Sequence, residues 1–309
     1  MERDVIFQTF AICKNYKDFK ALDNVSMTIH EGDIYGFVGE NGAGKTTLIR
    51  IASGLIHPTS GDYALFGVSS DSSEIENVKK QTAAIVEAVA LNKGMTALEN
   101  LRLQCYLAGI EKTDEQLIEL IKDVGLDPTT IEKKKSGAFS LGMRQRLGLA
   151  IALVGDPKFV LLDEPMNGLD PQGFVDMREA ILNLNKKGVT FLISSHILSE
   201  LDKICTCVGF LSHGRLLKEL STEELHDKAR HKIIINVKKT DKVKRLLVEY
   251  FKLKEVKTEG NARYIYDLID INDVISFLVA NKIIVNGIYA TEETIEDFYR
   301  ELMGMEGSL

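Results

Sequence analysis

The run Gly39-Glu40-Asn41-Gly42-Ala43-Gly44-Lys45-Thr46 constrains this chain more than any other segment. It fits G-x-x-x-x-G-K-[ST] without a departure. The apolar run Ile34-Tyr35-Gly36-Phe37-Val38 precedes it, and the helix-like run Thr47-Leu48-Ile49-Arg50-Ile51-Ala52 follows. That strand–loop–helix setting is what the motif requires. Glycines let the backbone curl so that successive N–H groups point at one anion. The start of the following helix adds its positive dipole end. Lys45 can then reach β- and γ-phosphates, and Thr46 can offer its hydroxyl to Mg²⁺. The plain alternative is a Gly-rich turn with a chance lysine, and the flanking strand and helix speak against it.

A chain of 309 residues suggests about two domains and a core that needs no staples. Its net charge of −7 gives no basic footprint for nucleic acid. The four cysteines, Cys13, Cys105, Cys205 and Cys207, lack zinc-finger spacing and read as buried thiols in a reducing compartment. The polar start Met1-Glu2-Arg3-Asp4 carries no secretory pattern. The longest apolar runs, such as Leu147 to Gly155, fall short of the roughly 20 residues that span a bilayer. The chain could still work at a membrane through a partner.

Along the chain, Phe7 to Ile12, Val25 to His30, Asp33 to Val38 and Ser60 to Gly67 read as strands. From Thr96 to Ala152 the apolar spacing turns helical, broken by the polar Lys133-Lys134-Lys135-Ser136-Gly137, read as solvated surface. Phe159-Val160-Leu161-Leu162 and Thr190 to Ser195 are apolar enough for strands buried on both faces. A helix at about Gln172 to Asn185 joins them in a βαβ unit. Val208 to Leu217 reads as a closing hairpin, and Ser221 to Leu225 as the start of a linker helix. Beyond it the pattern is strand (Lys232 to Val237), helix (Lys242 to Phe251) and a hairpin around Glu259-Gly260-Asn261. A helix (Asp270 to Asn281), a strand (Ile283 to Tyr289) and a last helix (Thr291 to Met303) follow. This is the β-α-β-β-α-β order of a ferredoxin-like module with one extra helix. Glu292, Glu293, Glu296 and Asp297 would give that last helix an acidic, solvated face.

A phosphate loop needs an acid to hold its metal. The apolar strand Phe159 to Leu162 ends in Asp163-Glu164, at the strand end where open α/β sheets bind ligands. Asp163 is the candidate to hold Mg²⁺, directly or through water, and Glu164 is placed to polarise water for attack on a γ-phosphate. An acid pair that merely opens a turn with Pro165 is the weaker reading beside Lys45.

These residues carry a resemblance. Phe139-Ser140-Leu141-Gly142-Met143-Arg144-Gln145-Arg146 resembles the signature motif of ABC ATPases, L-S-G-G-Q-x-Q-R, and lies shortly before the acid-tipped strand, as in that family. Asn167-Gly168-Leu169-Asp170-Pro171 resembles the D-loop, and Ser194-Ser195-His196 the switch-histidine segment. Tyr16 matches the aromatic that stacks on adenine. The likeness runs in unbroken order over about residues 5–220. It implies an α/β, P-loop NTPase fold: a RecA-like core with an N-terminal β-subdomain and a helical insertion near 88–155. The ATP-binding domain would be 1–220, and 221–309 a small C-terminal α+β domain. It implies ATP and Mg²⁺ as ligands, and ATP contacts from Tyr16, Gly39, Glu40, Asn41, Gly42, Ala43, Gly44, Lys45, Thr46 and Thr47. Two subunits would pair head to tail, so that Ser140 and Gly142 of one touch the γ-phosphate held by Lys45 of the other. Lys45, Glu164 and His196 would be catalytic, and Thr46, Asp163 and Glu87 the metal set.

Departures from the pattern matter. Glu87 stands where the family has the Q-loop glutamine, Leu141 replaces the first signature glycine, Met143 its glutamine, and Met166 a D-loop-side threonine. With the long C-terminal extension, these features resemble the bacitracin and lantibiotic-export branch of bacterial ABC transporters. That branch implies an ATP-hydrolysing subunit that pairs with a like subunit and binds a separate transmembrane permease on the cytoplasmic face of the membrane. The contact would lie near Glu87 and the helical insertion. Two other classes stand beside it. A soluble ABC ATPase acting on ribosomes or DNA would usually carry twin ATPase domains, coiled coils or zinc insertions, which this sequence lacks. A binding module without turnover is disfavoured by intact Lys45, Asp163, Glu164 and His196.

Overall fold

The strand Ile34–Val38 is buried along its whole length, as a fully apolar five-residue run requires. It lies inside a six-stranded sheet of the computed structural model, which describes residues 3–228, 231–237, 240–253, 256–266, 269–292, 298–299 and 302–304. The sheet order is Arg215–Ser221, Cys207–Ser212, Ile34–Val38, Thr190–Ser195, Phe159–Asp163, Thr82–Ile85. Every neighbouring pair is parallel except the first, which forms the closing hairpin. Parallel register aligns the carboxyl ends: Val38 lies beside Ser195, and Asp163 beside Ser194. The phosphate loop, the acid pair and His196 therefore leave the sheet at one edge.

A second, antiparallel sheet is built on the long strand Val5–Tyr16, which pairs with Phe19–Val25, Thr28–His30 and Ser60–Leu65. The single strand expected from Val25 to His30 is divided. The Thr9 hydroxyl donates to the Val25 carbonyl and accepts from the Met27 N–H, both at 3.0 Å, and so satisfies the backbone at the break. Cys205 is buried but precedes its strand, whereas Cys207 lies within one and is half-buried.

The helical insertion begins with Ala97–Ala108 and Asp114–Asp123, each opened by a capping box, Thr96 with Glu99 and Thr113 with Gln116. The short Pro128–Ile131 and the signature helix Leu141–Ala152 follow. The polar break before the signature helix is not all surface. Ser136 is fully buried and donates to the Asn92 carbonyl at 2.9 Å, beside the buried amide of Asn100. The signature helix is tied to the helix Pro171–Lys186 through Arg146. Its guanidinium donates to the Gly125 carbonyl (2.5 Å) and pairs with Asp176 (2.8 Å). Arg146→Met leaves the Gly125 carbonyl without its donor and Asp176 without its charge partner, the Gln172 amide alone remaining to that carboxylate. It should cost about 2–3 kcal/mol and lower the melting temperature by roughly 5–10 °C, which thermal unfolding by circular dichroism reads directly.

Glu219, at the hairpin edge, accepts the Thr28 N–H at 3.3 Å, yet burial raises its carboxyl above the ordinary range. The folded chain then holds this proton to higher pH than the unfolded chain does. The contribution is fully present below the unfolded carboxylate range near ~4.3 and is lost as pH rises through the folded value. Glu219→Gln should therefore gain stability relative to wild type as pH climbs from about 4 towards neutrality, measured as melting temperature against pH. A gap that stays constant with pH would refute the assignment.

The chain divides into two compact units, Met1–Thr222 and Glu223–Leu309. In the second, the strands follow the order Val256–Glu259, Ala262–Ile265, His231–Val237, Val285–Glu292, all antiparallel. Counted along the chain this is 2-3-1-4, the split βαβ arrangement of a ferredoxin-like module. The helices Thr240–Phe251 and Ile271–Ala280 bury Val243, Leu247, Val274 and Phe277 against Ile233, Ile235 and Ile265. Thr291 and Glu292, expected to open the last helix, instead end the last strand. Residues 298–299 and 302–304 are helical, whereas the acidic positions Glu293, Glu296 and Asp297 lie outside the described residues. Among the described residues no helix is long and apolar enough to cross a membrane.

Candidate functional site

The loop after Val38 can only be built with glycine at its tight points. A Cβ on Gly39 would collide with the Leu211 carbonyl oxygen. Gly44 sits at φ +109, and a Cβ there would come within 2.5 Å of the Ala21 carbonyl oxygen. The helix Lys45–Ala52 starts directly after Gly44 with no side-chain cap. Its first N–H groups are thus available to an anion. They open on a cleft of about 410 Å³ lined by Phe19, Asn41, Lys45, Thr46, Glu164 and His196, among others.

The charged groups in this cleft form one connected chain. Lys45 is 5% exposed, and its Nζ donates to the carbonyls of Gly39 (2.7 Å) and Glu40 (3.2 Å). The same Nζ lies 3.3 Å from Glu164 Oε1. The other oxygen of that carboxylate, Oε2, lies 2.7 Å from His196 Nδ1. Glu164 adopts φ +49, a backbone conformation that costs a side-chain-bearing residue about 1 kcal/mol. Its N–H is held by the Ser194 hydroxyl (2.9 Å) and carbonyl (3.2 Å). The turn thereby aims the carboxylate into the cleft rather than along the strand.

Beside it, the Thr46 hydroxyl donates to Asp163 Oδ2 at 2.8 Å, and the Ser194 hydroxyl donates to Oδ1 at 2.6 Å. Thr46 and Asp163 are hard oxygen donors already in contact, which suits Mg²⁺, a cation that keeps several waters and takes few protein ligands. The sequence places Ser194 in the switch-histidine segment but assigns it no role towards Asp163. Its only signal was its place two residues before His196, on the strand that the parallel register sets beside Asp163.

Other predicted residues fall elsewhere. Glu87 is seated against Arg50 and makes no contact with Thr46 or Asp163. Tyr16 is exposed, with Lys14 Nζ 5.3 Å from its ring centre, and it is absent from the cleft lining. Phe19, its cross-strand partner over the Lys17-Asp18 turn, does line the cleft, so the two aromatics share one face of the hairpin. Ser140 caps the signature helix, accepting from Met143 N–H at 3.2 Å. Gly142 is buried where a Cβ would lie 3.6 Å from Gly173 Cα. Neither lines the cleft of this chain. Asn167, in the segment after Glu164, does, and Asp170 caps the helix beyond through Gly173 N–H at 2.8 Å.

The profile of the ABC transporter family matches residues 22–167. Over 302 residues, 97% of both chains, the sequence is 38% identical to the bacitracin transport ATP-binding protein BcrA of Bacillus licheniformis. It is 37% identical to the lantibiotic transport ATP-binding protein SrtF of Streptococcus pyogenes over 67% of this chain and 86% of that one. Among solved structures, a nucleotide-free ATP-binding cassette from an ABC transporter superposes with TM-score 0.64 at 26% identity, covering 72% of this chain and 94% of that one. The ADP conformation of the cassette MJ1267 gives TM-score 0.64 at 27% identity, covering 72% and 93%.

Proposed function

The chain belongs to the ABC transporter family, as an ATP-binding subunit, and from that premise we propose that it drives export of a peptide antibiotic or a similar amphiphile through a separate transmembrane permease. The observation that carries the catalytic part is the continuous contact Lys45–Glu164–His196 beside Thr46–Asp163. Backbone N–H groups of Gly42 to Thr46 and the Lys45 ammonium bind the β- and γ-phosphates of ATP. Thr46 and Asp163 would hold Mg²⁺, which when bound would neutralise charge on those phosphates. Glu164 takes a proton from water as the water oxygen bonds to the γ-phosphorus and the bond to the bridging oxygen breaks, giving ADP and phosphate. His196 holds the Glu164 carboxylate in place through Oε2. Phe19, which lines the cleft, offers an aromatic face to the adenine, with Tyr16 beside it on the same face of the hairpin.

The end-to-end likeness to a bacitracin transport subunit supports a transporter over an ATPase acting on ribosomes or DNA. Ser140 and Gly142 are read as completing the site of a second, like subunit, which accounts for small residues at an N-terminus remote from this chain's own cleft. The groove of about 840 Å³ lined by Val86, Val89, Gln104, Ala108 and Ile151 is read as the permease-facing surface, and the exposed Leu55, also in its lining, adds apolar area. That docking sets the chain on the cytoplasmic face of the membrane.

Co-expression with a candidate transmembrane permease from the same genome tests this reading. Membrane-bound ATPase activity that needs both partners, together with raised resistance to a peptide antibiotic, is the expected outcome. Activity that stays soluble and follows ribosomes in a gradient would overturn it.

A further inference from the structure

Of the residues the sequence suggests for the metal, Glu87 alone is held by a competing cation, Arg50. Three features of that contact belong together. Arg50 lies four residues after Thr46 on the helix Lys45–Ala52, so both side chains project from one face, about 6 Å apart along the axis. Glu87 follows the strand Thr82–Ile85, whose Ile85 sits beside Leu162, one residue before Asp163. Neighbouring strands lie about 4.8 Å apart, so the segment carrying Glu87 passes the level of the acid pair. Glu87 itself stands at the centre of a γ-turn, with φ +64 and the Ala88 N–H donating to the Val86 carbonyl at 2.8 Å. Turns of this hand are rare and strained, and such strain collects in segments that switch. The Arg50 and Glu87 side chains are 35% and 65% exposed, so the pair is weak enough to exchange.

We propose that Arg50 is a positioning residue that parks the Glu87 carboxylate one helical turn from the metal position, so that Arg50 and the nucleotide-bound metal compete for it. The inference rests on the ATPase reading above. A carboxylate at residue 87 can answer to both cations, whereas a neutral amide there answers weakly to either. Parked, Glu87 leaves the metal to Thr46 and Asp163. Released, it adds a third hard oxygen on the side of the cleft nearest the permease-facing groove, whose lining includes Val86 and Ala88. Strain in the γ-turn and the screened ion pair keep the two positions close in energy.

Retention of Mn²⁺ tests this, with the metal as a paramagnetic probe. The full chain is loaded with Mn²⁺ and a non-hydrolysable ATP analogue, and free Mn²⁺ is read by electron paramagnetic resonance. Arg50→Met should hold Mn²⁺ about two- to fivefold more tightly, the range set by an exposed ion pair. Arg50→Lys should return it to the wild-type value. In a Glu87→Gln background, Arg50→Met should change nothing. An equal shift in both backgrounds, or no shift at an unaltered melting temperature, would overturn the competition. Arg50→Gln serves the same comparison should Arg50→Met lower the melting temperature. Analogue binding that is the same in wild type and Lys45→Ala would instead overturn the ATPase reading, and the switch with it.

Discussion

Lys45→Ala should lower kcat/KM for ATP by roughly 10²–10³, the scale seen when one preorganised charge-stabilising donor is removed. The loss should fall on affinity as well as on turnover. Lys45 Nζ is anchored by the Gly39 and Glu40 carbonyls and reaches Glu164 Oε1, so it is fixed in the cleft before any phosphate arrives. A cation held this way needs no reorganisation when negative charge develops on the transferring phosphoryl group. Alanine removes the charge from a position only 5% exposed, where water replaces it poorly. The fold should survive, because Glu164 keeps its His196 contact and the loop keeps its glycine geometry. Steady-state ATPase assays, ATP binding by calorimetry and a melting curve separate these effects. A variant with wild-type affinity and turnover would remove Lys45 from the site.

Most of this site was legible because its parts are local. The phosphate loop is contiguous, positive φ at Gly42 and Gly44 asks for glycine there, and the acid pair follows directly on an apolar strand. Pairings between distant segments were not legible. Ser194 becomes the partner of Asp163 only through the parallel register of two strands some thirty residues apart, which no local pattern encodes. Phe19 reaches the cleft because a two-residue turn sets it opposite Tyr16, a pairing that the order of residues alone does not aim at the cleft. Glu87 shows the reverse. Its position in the motif order suggests the metal, while the ion pair it makes depends on a helix face that the sequence alone does not orient.

The same limit explains where the fold departs from the local pattern. Val25 to His30 has the composition of one strand, and the side chain of Thr9, on another strand, supports the break. Thr291 and Glu292 favour a helix start by charge and capping. They are drawn into the last strand by pairing with Lys232 and His231. Where a segment is buried on both sides, as at Phe159–Asp163, pattern and structure agree, because burial leaves one solution.

Glu164→Gln should separate binding from chemistry. The amide has the shape of the carboxylate and can keep an oxygen towards Lys45 at the 3.3 Å position, so ATP affinity should stay within a few-fold of wild type. It cannot take the proton of the attacking water. General-base catalysis is worth about 10²–10⁴ in rate, so kcat should fall by that factor with little change in ATP binding. Chains that bind ATP and do not cleave it should accumulate as closed pairs, visible by size-exclusion chromatography with ATP but not with ADP. His196→Ala should fall between this variant and wild type, because it loosens the Glu164 carboxylate without removing it. If Glu164 served only as counter-ion to Lys45, the neutral amide would change ATP affinity and leave kcat nearly intact. The direction of the split between kcat and binding therefore decides whether the carboxylate acts on water or on the lysine.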